Sequence, residues 1–547
     1  MSFRFSSINL GCSKNLVDLE FAIGEILKYS ERTPIEYIED PEDPETDYVI
    51  VNTCGFLSSA RAESEDTLRH YDRLGKKLIL MGCYVSVKDD NFLSSLKNLH
   101  SVVPFISYTT IEGLLFGKTV GIDMSAIVRA KVAMKQSKEK KLTEYLNSIG
   151  EKSIKNTGSQ EMGKNDNIRA KIAEELPLGC RSETYEGSTA NEETQDLNTK
   201  IEVISHLPKK AFVWKGDEVR AYIHAPFGYE YLKIAEGCDN SCTFCIIPQI
   251  RGKQTSRKME DIVKEVQVML ANNIREIQII AQDTTRYGTD LYGEPKLFEL
   301  LERIENIATT PLGKGVVEDR GIGSEGEGKH PIPPTPLSQG GIQDFKYRLY
   351  YMYPDILTLE HVQRLKSFKK LLPYFDIPFQ HSSEHILKRM GRHYDEAHVE
   401  AFLTSIRENF PDAFIRTSFI VGFPGETDAD FNHLIEFVKR HSFESVGVFQ
   451  YHDEALAASS KLDQKVPEAV VNQRMKKLAK VLDEVYAKHA KAARGKTFSG
   501  YVMDFDEKRA IIRREIQAPE VDEYDEVKVS AIQDKELGIG KFVEYKL

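Results

Sequence analysis

The chain has 547 residues, of which 41% are hydrophobic, 10% aromatic and 29% charged. Lys and Arg number 73 against 84 Asp and Glu, a formal net charge of -11 that argues against a broad electrostatic grip on nucleic acid. Seven cysteines, an odd and small number, exclude a disulfide-built scaffold, and no apolar run is long enough to cross a bilayer. The first residues show no charged-then-apolar signal pattern, so a cytoplasmic protein with no membrane partner is the expectation.

Over residues 1–118, short apolar runs alternate with helical spacing. Residues 5–10, 48–51 and 78–81 read as strands, and Leu16, Leu19, Ile23, Ile26 and Leu27 mark one helix face. Such alternation predicts a parallel-sheet α/β domain. Residues 125–208 are rich in Lys, Glu, Asn, Ser and Thr, with Tyr145 and Tyr185 as the only aromatics, and read as a polar insertion without a core of its own. A short helix over 168–176 is the one pattern inside it, and compact structure is expected to resume at 211–214.

Strand–helix alternation returns between 224 and 456. Six strands are expected at 231–235, 276–281, 348–352, 375–379, 414–421 and 446–451, a partial (β/α)6 barrel. Residues 311–344, with eight Gly, five Pro and no Phe, Tyr or Trp, interrupt it as a second insertion. Residues 473–490 carry Met475, Leu478, Val481, Leu482 and Val485 on one face and predict a connecting helix. After Gly495 the period drops to two, with strands at 499–503, 509–513, 526–529 and 541–545, a small C-terminal β-barrel in a domain spanning 487–547.

Six of the seven cysteines fall into two sets. Cys238, Cys242 and Cys245 form a C-x3-C-x2-C group directly after a predicted strand. Three thiolates so close can each ligate a different iron of one cubane cluster, leaving the fourth iron open. A zinc site would call for a fourth ligand nearby, and no further His or Cys stands in the loop. Cys12, Cys54 and Cys83 are dispersed, but each follows one of the first three predicted strands, whose ends converge on one edge of a parallel sheet. Gly11, Gly55 and Gly82 beside them would admit a bulky group close to the backbone. A second cluster, structural thiols or a zinc site are all compatible with that placement. Cys180, inside the polar insertion, fits no ligand pattern and reads as incidental.

With both triplets in view, the chain resembles the radical-SAM methylthiotransferases, which join an N-terminal three-cysteine domain, a radical-SAM barrel and a C-terminal TRAM module. The residues that carry the likeness are 11–18 (GCSKNLVD), 51–56 (VNTCGF), 232–238 (LKIAEGC), 376–381 (DIPFQH) and 448–451 (VFQY). They are most similar to the branch that acts on an aspartate of a small-subunit ribosomal protein, although Ser13 stands where that branch often has proline. The two insertions are atypical, and the terminal barrel is short for a TRAM module.

The resemblance implies two [4Fe-4S] clusters and S-adenosyl-L-methionine as cofactors, with Cys12, Cys54, Cys83, Cys238, Cys242 and Cys245 as metal ligands. One S-adenosylmethionine would methylate a sulfur on the first cluster. A second, cleaved at the other cluster, would supply the radical that opens a C–H bond for methylthio insertion. Residues 281–284 and 420–426 resemble stretches beside the cofactor, which makes Gln282, Asp283, Gly422 and Glu426 candidate contacts. Arg416, on the strand that runs into 420–426, is a fifth, meeting a carboxylate or ribose or else making a solvated salt bridge. A low-potential electron donor such as flavodoxin or ferredoxin is implied as a partner. Residues 490–547 hold 11 Lys and Arg against 12 Asp and Glu, which favours a protein substrate over the alternative, a tRNA adenosine. A non-catalytic iron–sulfur carrier is the remaining reading, and two open three-cysteine sites argue against it.

Overall fold

The computed structural model describes residues 3–27, 34–103, 111, 115, 214, 220–221, 228–272, 274–307, 345–534 and 537–547. Both expected insertions, the helix at 168–176 and Cys180 lie outside the described residues.

The N-terminal strands are β1 (Phe3–Asn9), β2 (Ile35–Tyr37), β3 (Tyr48–Thr53), β4 (Lys77–Gly82) and β5 (Leu99–Val102), all parallel in the order β2-β1-β3-β4-β5. The three central strands are those the apolar runs predict. The two edge strands escape a pattern search because they span three and four residues, too few for alternation to stand out. The helix Ser13–Leu27 is buried almost throughout, charged residues included, because it is packed between this sheet and the next. Trp214 meets Phe21 of that helix edge-on, with ring centroids 6.0 Å apart.

The second sheet is built from β6 (Tyr229–Lys233), β9 (Glu276–Ile280), β10 (Lys346–Leu349), β11 (Leu371–Asp376), β12 (Phe414–Val421) and β13 (Ser445–Gln450). A small antiparallel pair, β7 (Ala235–Glu236) and β8 (Thr255–Ser256), sits beside it. The six strands are parallel in the order β13-β12-β11-β10-β9-β6, the partial barrel expected. Four strands, β6, β10, β11 and β13, begin and end earlier than the apolar pattern suggests. Ile377 and Phe379, for example, are fully buried yet lie beyond the end of β11, so hydrophobicity outruns the ladder. Helices Met259–Ala271, Leu297–Glu305, Leu359–Leu365, Glu396–Asn409 and Asp428–His441 pack on the sheet in one continuous apolar core. The predicted connector is the helix Glu468–Ala493, which enters this core through Val471, Leu478, Val481, Leu482 and Val485.

Strands β14 (Thr497–Phe505), β15 (Arg509–Arg514), β16 (Asp525–Lys528) and β17 (Phe542–Lys546) form an antiparallel sheet in the order β16-β15-β14-β17. An Ile532–Tyr545 bridge brings the chain after β16 back to β17. This module is seated on the barrel at the start of the strands, which we call the floor. Glu276, the first residue of β9, accepts from Arg348 of β10 at 2.6 Å and from Arg513 of β15 at 2.7 and 3.0 Å. Arg348 also donates to the carbonyls of Glu515 and Gln517 at 2.8 and 3.2 Å. Glu520 accepts from the hydroxyls of Tyr229 and Tyr231 at 2.5 and 3.1 Å, and Ala518 is fully buried.

Two buried guanidinium groups thus share one carboxylate. Glu276→Ala, which strands both, is expected to cost about 3–5 kcal/mol. It should lower the thermal midpoint and speed proteolysis within residues 494–547, with Glu276→Gln milder in both measurements.

Candidate active site

The two cysteine sets lie at the opposite, C-terminal edge of the strands. Cys54 and Cys83 directly follow β3 and β4, and Cys12 lies three residues beyond β1. The strand register pairs Asn9 with Asn52, Asn52 with Met81 and Thr53 with Gly82, so the three ends are level. Cys12 starts the helix Ser13–Leu27, its carbonyl accepting from Leu16 N at 3.0 Å. One buried side chain, Asn15, ties the set together. Its Oδ1 stands 3.4 Å from Cys12 Sγ and 3.6 Å from Cys83 Sγ, while its Nδ2 donates to the Thr53 carbonyl at 3.1 Å.

The three neighbouring glycines make room for protein, which corrects the expectation that they admit a bulky group. A Cβ on Gly11 would stand 2.3 Å from the Asn15 side chain, and one on Gly55 would stand 2.7 Å from the Cys83 carbonyl carbon. Gly82, at φ +97°, faces the Thr53 backbone. Gly55 and Gly82 therefore let the segments carrying Cys54 and Cys83 close on each other, and Gly11 lets Asn15 fold back beside Cys12.

The second set sits in the loop after β7. Cys238 N donates to the Gly252 carbonyl at 3.1 Å, and a Cβ on Gly237 would strike the Lys253 carbonyl. Residues 389–392 clasp the other side of the loop: Thr243 N donates to the Met390 carbonyl at 2.9 Å and Thr243 Oγ1 to the Arg389 carbonyl at 2.8 Å. Burial pushes the Cys238 thiol up to about 11 and the Cys245 thiol up to about 12, so metal binding must displace their protons. Among the described residues, no three His, Cys, Asp or Glu side chains converge tightly enough to grip a single metal ion. Thiolates that each ligate a different iron have no need to converge so far. Three thiols in each of two sets, with no fourth among the described residues, fit iron–sulfur clusters better than closed zinc sites.

The structure places the five other candidate residues unequally. Gln282 Nε2 donates to Glu236 Oε1 at 2.7 Å, while Gln282 Oε1 is buried without a partner. Asp283 accepts from Asn240 Nδ2, inside the cysteine loop, at 2.8 Å and from Thr285 N at 3.0 Å. Burial pushes its carboxyl up, against the bonds from Thr285 and Asn240. Arg416, the third residue of β12, meets a carboxylate of the protein itself, Asp376, the last residue of β11, at 2.8 Å. Gly422 and Glu426 close a loop on each other: Gly422 N donates to Glu426 Oε2 at 2.6 Å, and Arg474 holds Glu426 Oε1 at 2.8 Å. A Cβ on Gly422 would strike Val471, so this glycine admits the long helix.

Several residues at this edge were not singled out in the sequence. Arg251 donates through Nε to Cys83 Sγ at 3.2 Å, through Nη2 to Asn15 Oδ1 at 2.7 Å, and through Nη1 to Glu236 Oε1 at 2.9 Å and Asp18 Oδ2 at 3.2 Å. Lys233 bonds Asp18, and Glu236 at 2.7 Å. Burial works against the Glu236 carboxylate, but Arg251 and Lys233 outweigh it and hold the group at about 2. Arg392 stacks over Tyr353, 4.4 Å from the ring centroid, and the Tyr353 hydroxyl is 3.9 Å from Cys242 Sγ. Its Nε and Nη1 are buried without partners, which suits an anionic ligand beside the cysteine loop. The available signal was a charged residue in a barrel strand, Lys233 at the end of β6, which burial obliges to find a counter-ion.

A parallel barrel with three cysteines in the loop after its first strand defines a radical SAM enzyme, and the radical SAM superfamily matches residues 232–438. Residues 4–104 match a family described as uncharacterized protein family UPF0004. The chain is 31% identical over 545 residues to the ribosomal protein uS12 methylthiotransferase RimO of Carboxydothermus hydrogenoformans, covering 99% of this chain and 95% of that protein. The Clostridioides difficile protein of the same name is 30% identical over 546 residues, covering 98% and 95%. That of Dictyoglomus thermophilum is 31% identical over 520 residues, covering 94% and 90%. The chain belongs to the ribosomal protein uS12 methylthiotransferase family.

Asp283→Ala removes the acceptor that holds Asn240 inside the cysteine loop. In a C12A/C54A/C83A background, affinity for iron is expected to fall about tenfold or more. Asp283→Asn, which keeps one acceptor, should lose less. Colorimetric iron per chain across a loading series measures both, and full retention in Asp283→Ala would show that the loop holds itself.

Proposed function

We propose that this protein attaches a methylthio group to the β-carbon of an aspartate in ribosomal protein uS12. The observation that carries the reading is the meeting of two three-cysteine sets at one edge, linked through Asn15, Arg251 and Glu236. Cys12, Cys54 and Cys83 would hold one [4Fe-4S] cluster, and Cys238, Cys242 and Cys245 the other. When bound, the clusters and S-adenosylmethionine supply the radical that opens an unactivated C–H bond and the methylated sulfur that takes its place.

The chain's own part is placement. Glu236 and Asp283 fix the 238–245 loop from two sides. The unpartnered Gln282 Oε1 and the Arg392 donors are offered to the amino and carboxylate groups of S-adenosylmethionine. Gly422 and Glu426 act one step away: the 422–426 loop packs on Arg389, whose carbonyl holds Thr243. Three thiolates per set leave each cluster a position the protein does not fill. The even charge balance of residues 490–547 supports a protein rather than a tRNA substrate. Among the described residues no helix is long and apolar enough to cross a membrane. We place the enzyme in the cytoplasm, supplied by a low-potential donor such as flavodoxin or ferredoxin.

Anaerobically reconstituted protein, given S-adenosylmethionine, dithionite and uS12, is expected to release 5′-deoxyadenosine and to add a methylthio group to one aspartate, read by mass spectrometry of uS12 peptides. Absence of 5′-deoxyadenosine would leave only the electron-carrier reading. A mark appearing on tRNA instead of uS12 would overturn the substrate. Cys180→Ala should leave the iron content at the wild-type value, and a loss would mean that the seventh thiol is also a ligand.

A further inference from the structure

Arg251 stands between the two cysteine sets. It ends the helix Ile247–Arg251, which begins two residues after Cys245, and the segment leading to it packs on the other set. Ile246 and Ile250 share an apolar cluster with Cys83, and Ser86 Oγ donates to the Ile250 carbonyl at 3.0 Å. The Arg251 side chain is 1% exposed. Its planar fork is divided among a thiol sulfur, an amide oxygen and two carboxylates. Among the described residues the second set has weaker donors to sulfur. Backbone Ile247 N approaches Cys245 Sγ at 3.4 Å, and the neutral Tyr353 hydroxyl lies 3.9 Å from Cys242 Sγ. One set is therefore served by a charge-assisted bond and the other by neutral groups.

A hydrogen bond to a ligating sulfur favours the more electron-rich state of a cluster and raises its reduction potential. We propose that Arg251 tunes the cluster of Cys12, Cys54 and Cys83, holding its midpoint potential above the value it would have without the Nε–Sγ bond. The proposal rests on the reading of those three cysteines as cluster ligands. Asp18 and Glu236 offset the charges of Arg251 and Lys233 within the same group. The net field on Cys83 is thereby reduced, and the direct N–H bond is the larger contribution. Lysine at 251 would keep the charge without the fixed fork, and glutamine would lose the charge and the reach.

The test uses full-length protein carrying C238A/C242A/C245A, so that only the first set can load, and measures the midpoint by EPR at poised potentials. Arg251→Gln is expected to lower the equilibrium constant for reduction at least tenfold, a shift of about 59 mV to more negative potential for one electron. Arg251→Lys should shift it in the same direction by less. In the complementary C12A/C54A/C83A background, Arg251→Gln should move the midpoint of the other cluster by a smaller amount. An unchanged midpoint in iron-replete Arg251→Gln overturns the proposal. Should that variant load no iron, Arg251→Lys decides by the same criterion. Failure of the C238A/C242A/C245A protein itself to bind a cluster would instead overturn the ligand reading, a different and recognisable result.

Discussion

Asp18, Lys233, Glu236 and Arg251 form a cluster of four charges from which water is excluded, and the geometry of both cysteine sets depends on it. Asp18 belongs to the N-terminal helix, Lys233 and Glu236 to the first barrel strand and its successor, and Arg251 to the helix after the cysteine loop. Opposite charges here are expensive to bury and far more expensive to separate, on the order of 3–5 kcal/mol for a stranded partner. Such a cluster adds little net stability, but it tolerates few alternative arrangements. A second buried group ties the same helix to the barrel: Arg220 bonds Glu20, Glu230 and Glu265, each buried. Burial pushes Glu230 up to about 8, with Arg220 pulling the other way.

The arrangement separates holding from reacting. Apolar packing fills the barrel wall, the C-terminal module covers its floor, and the polar groups left without partners near the cysteine loop, Gln282 Oε1 and the Arg392 donors, stand at the other end. Polar atoms buried without partners are costly, and those beside the second cysteine loop are ones a bound ligand would relieve.

The parts of this site legible in the sequence were those encoded locally. Three cysteines within eight residues, and three more at the ends of apolar strands, need no knowledge of the fold. What could not be read was long-range pairing: Arg251 meets Asp18 across 233 positions, and Lys233 meets Asp18 across 215. Nothing near Arg251 in the chain marks it as the donor to Cys83. Gly11 and Gly55 show the same limit, since a glycine signals close approach without saying what approaches. For Gly11 it is the Asn15 side chain of the helix that follows Cys12, and for Gly55 it is the cysteine loop after β4. The docking of the terminal module was also hidden, because Arg348, Arg513 and Glu276 acquire meaning only once three distant strands are brought together.

Strand β9 is gripped at both ends by different parts of the chain. Its first residue, Glu276, is held by Arg513 of the terminal module, and just past its last residue Gln282 and Asp283 hold the loop of the second cysteine set. Six residue steps separate Glu276 from Gln282, roughly 20 Å at about 3.3 Å per residue. β10 and β6 flank it in register on either side, so it is stiff along its length. The module holds β6 and β10 as well, through Tyr229, Tyr231 and Arg348, so a displacement of it is passed along three paired strands, of which β9 ends on the groups that fix the second cysteine loop.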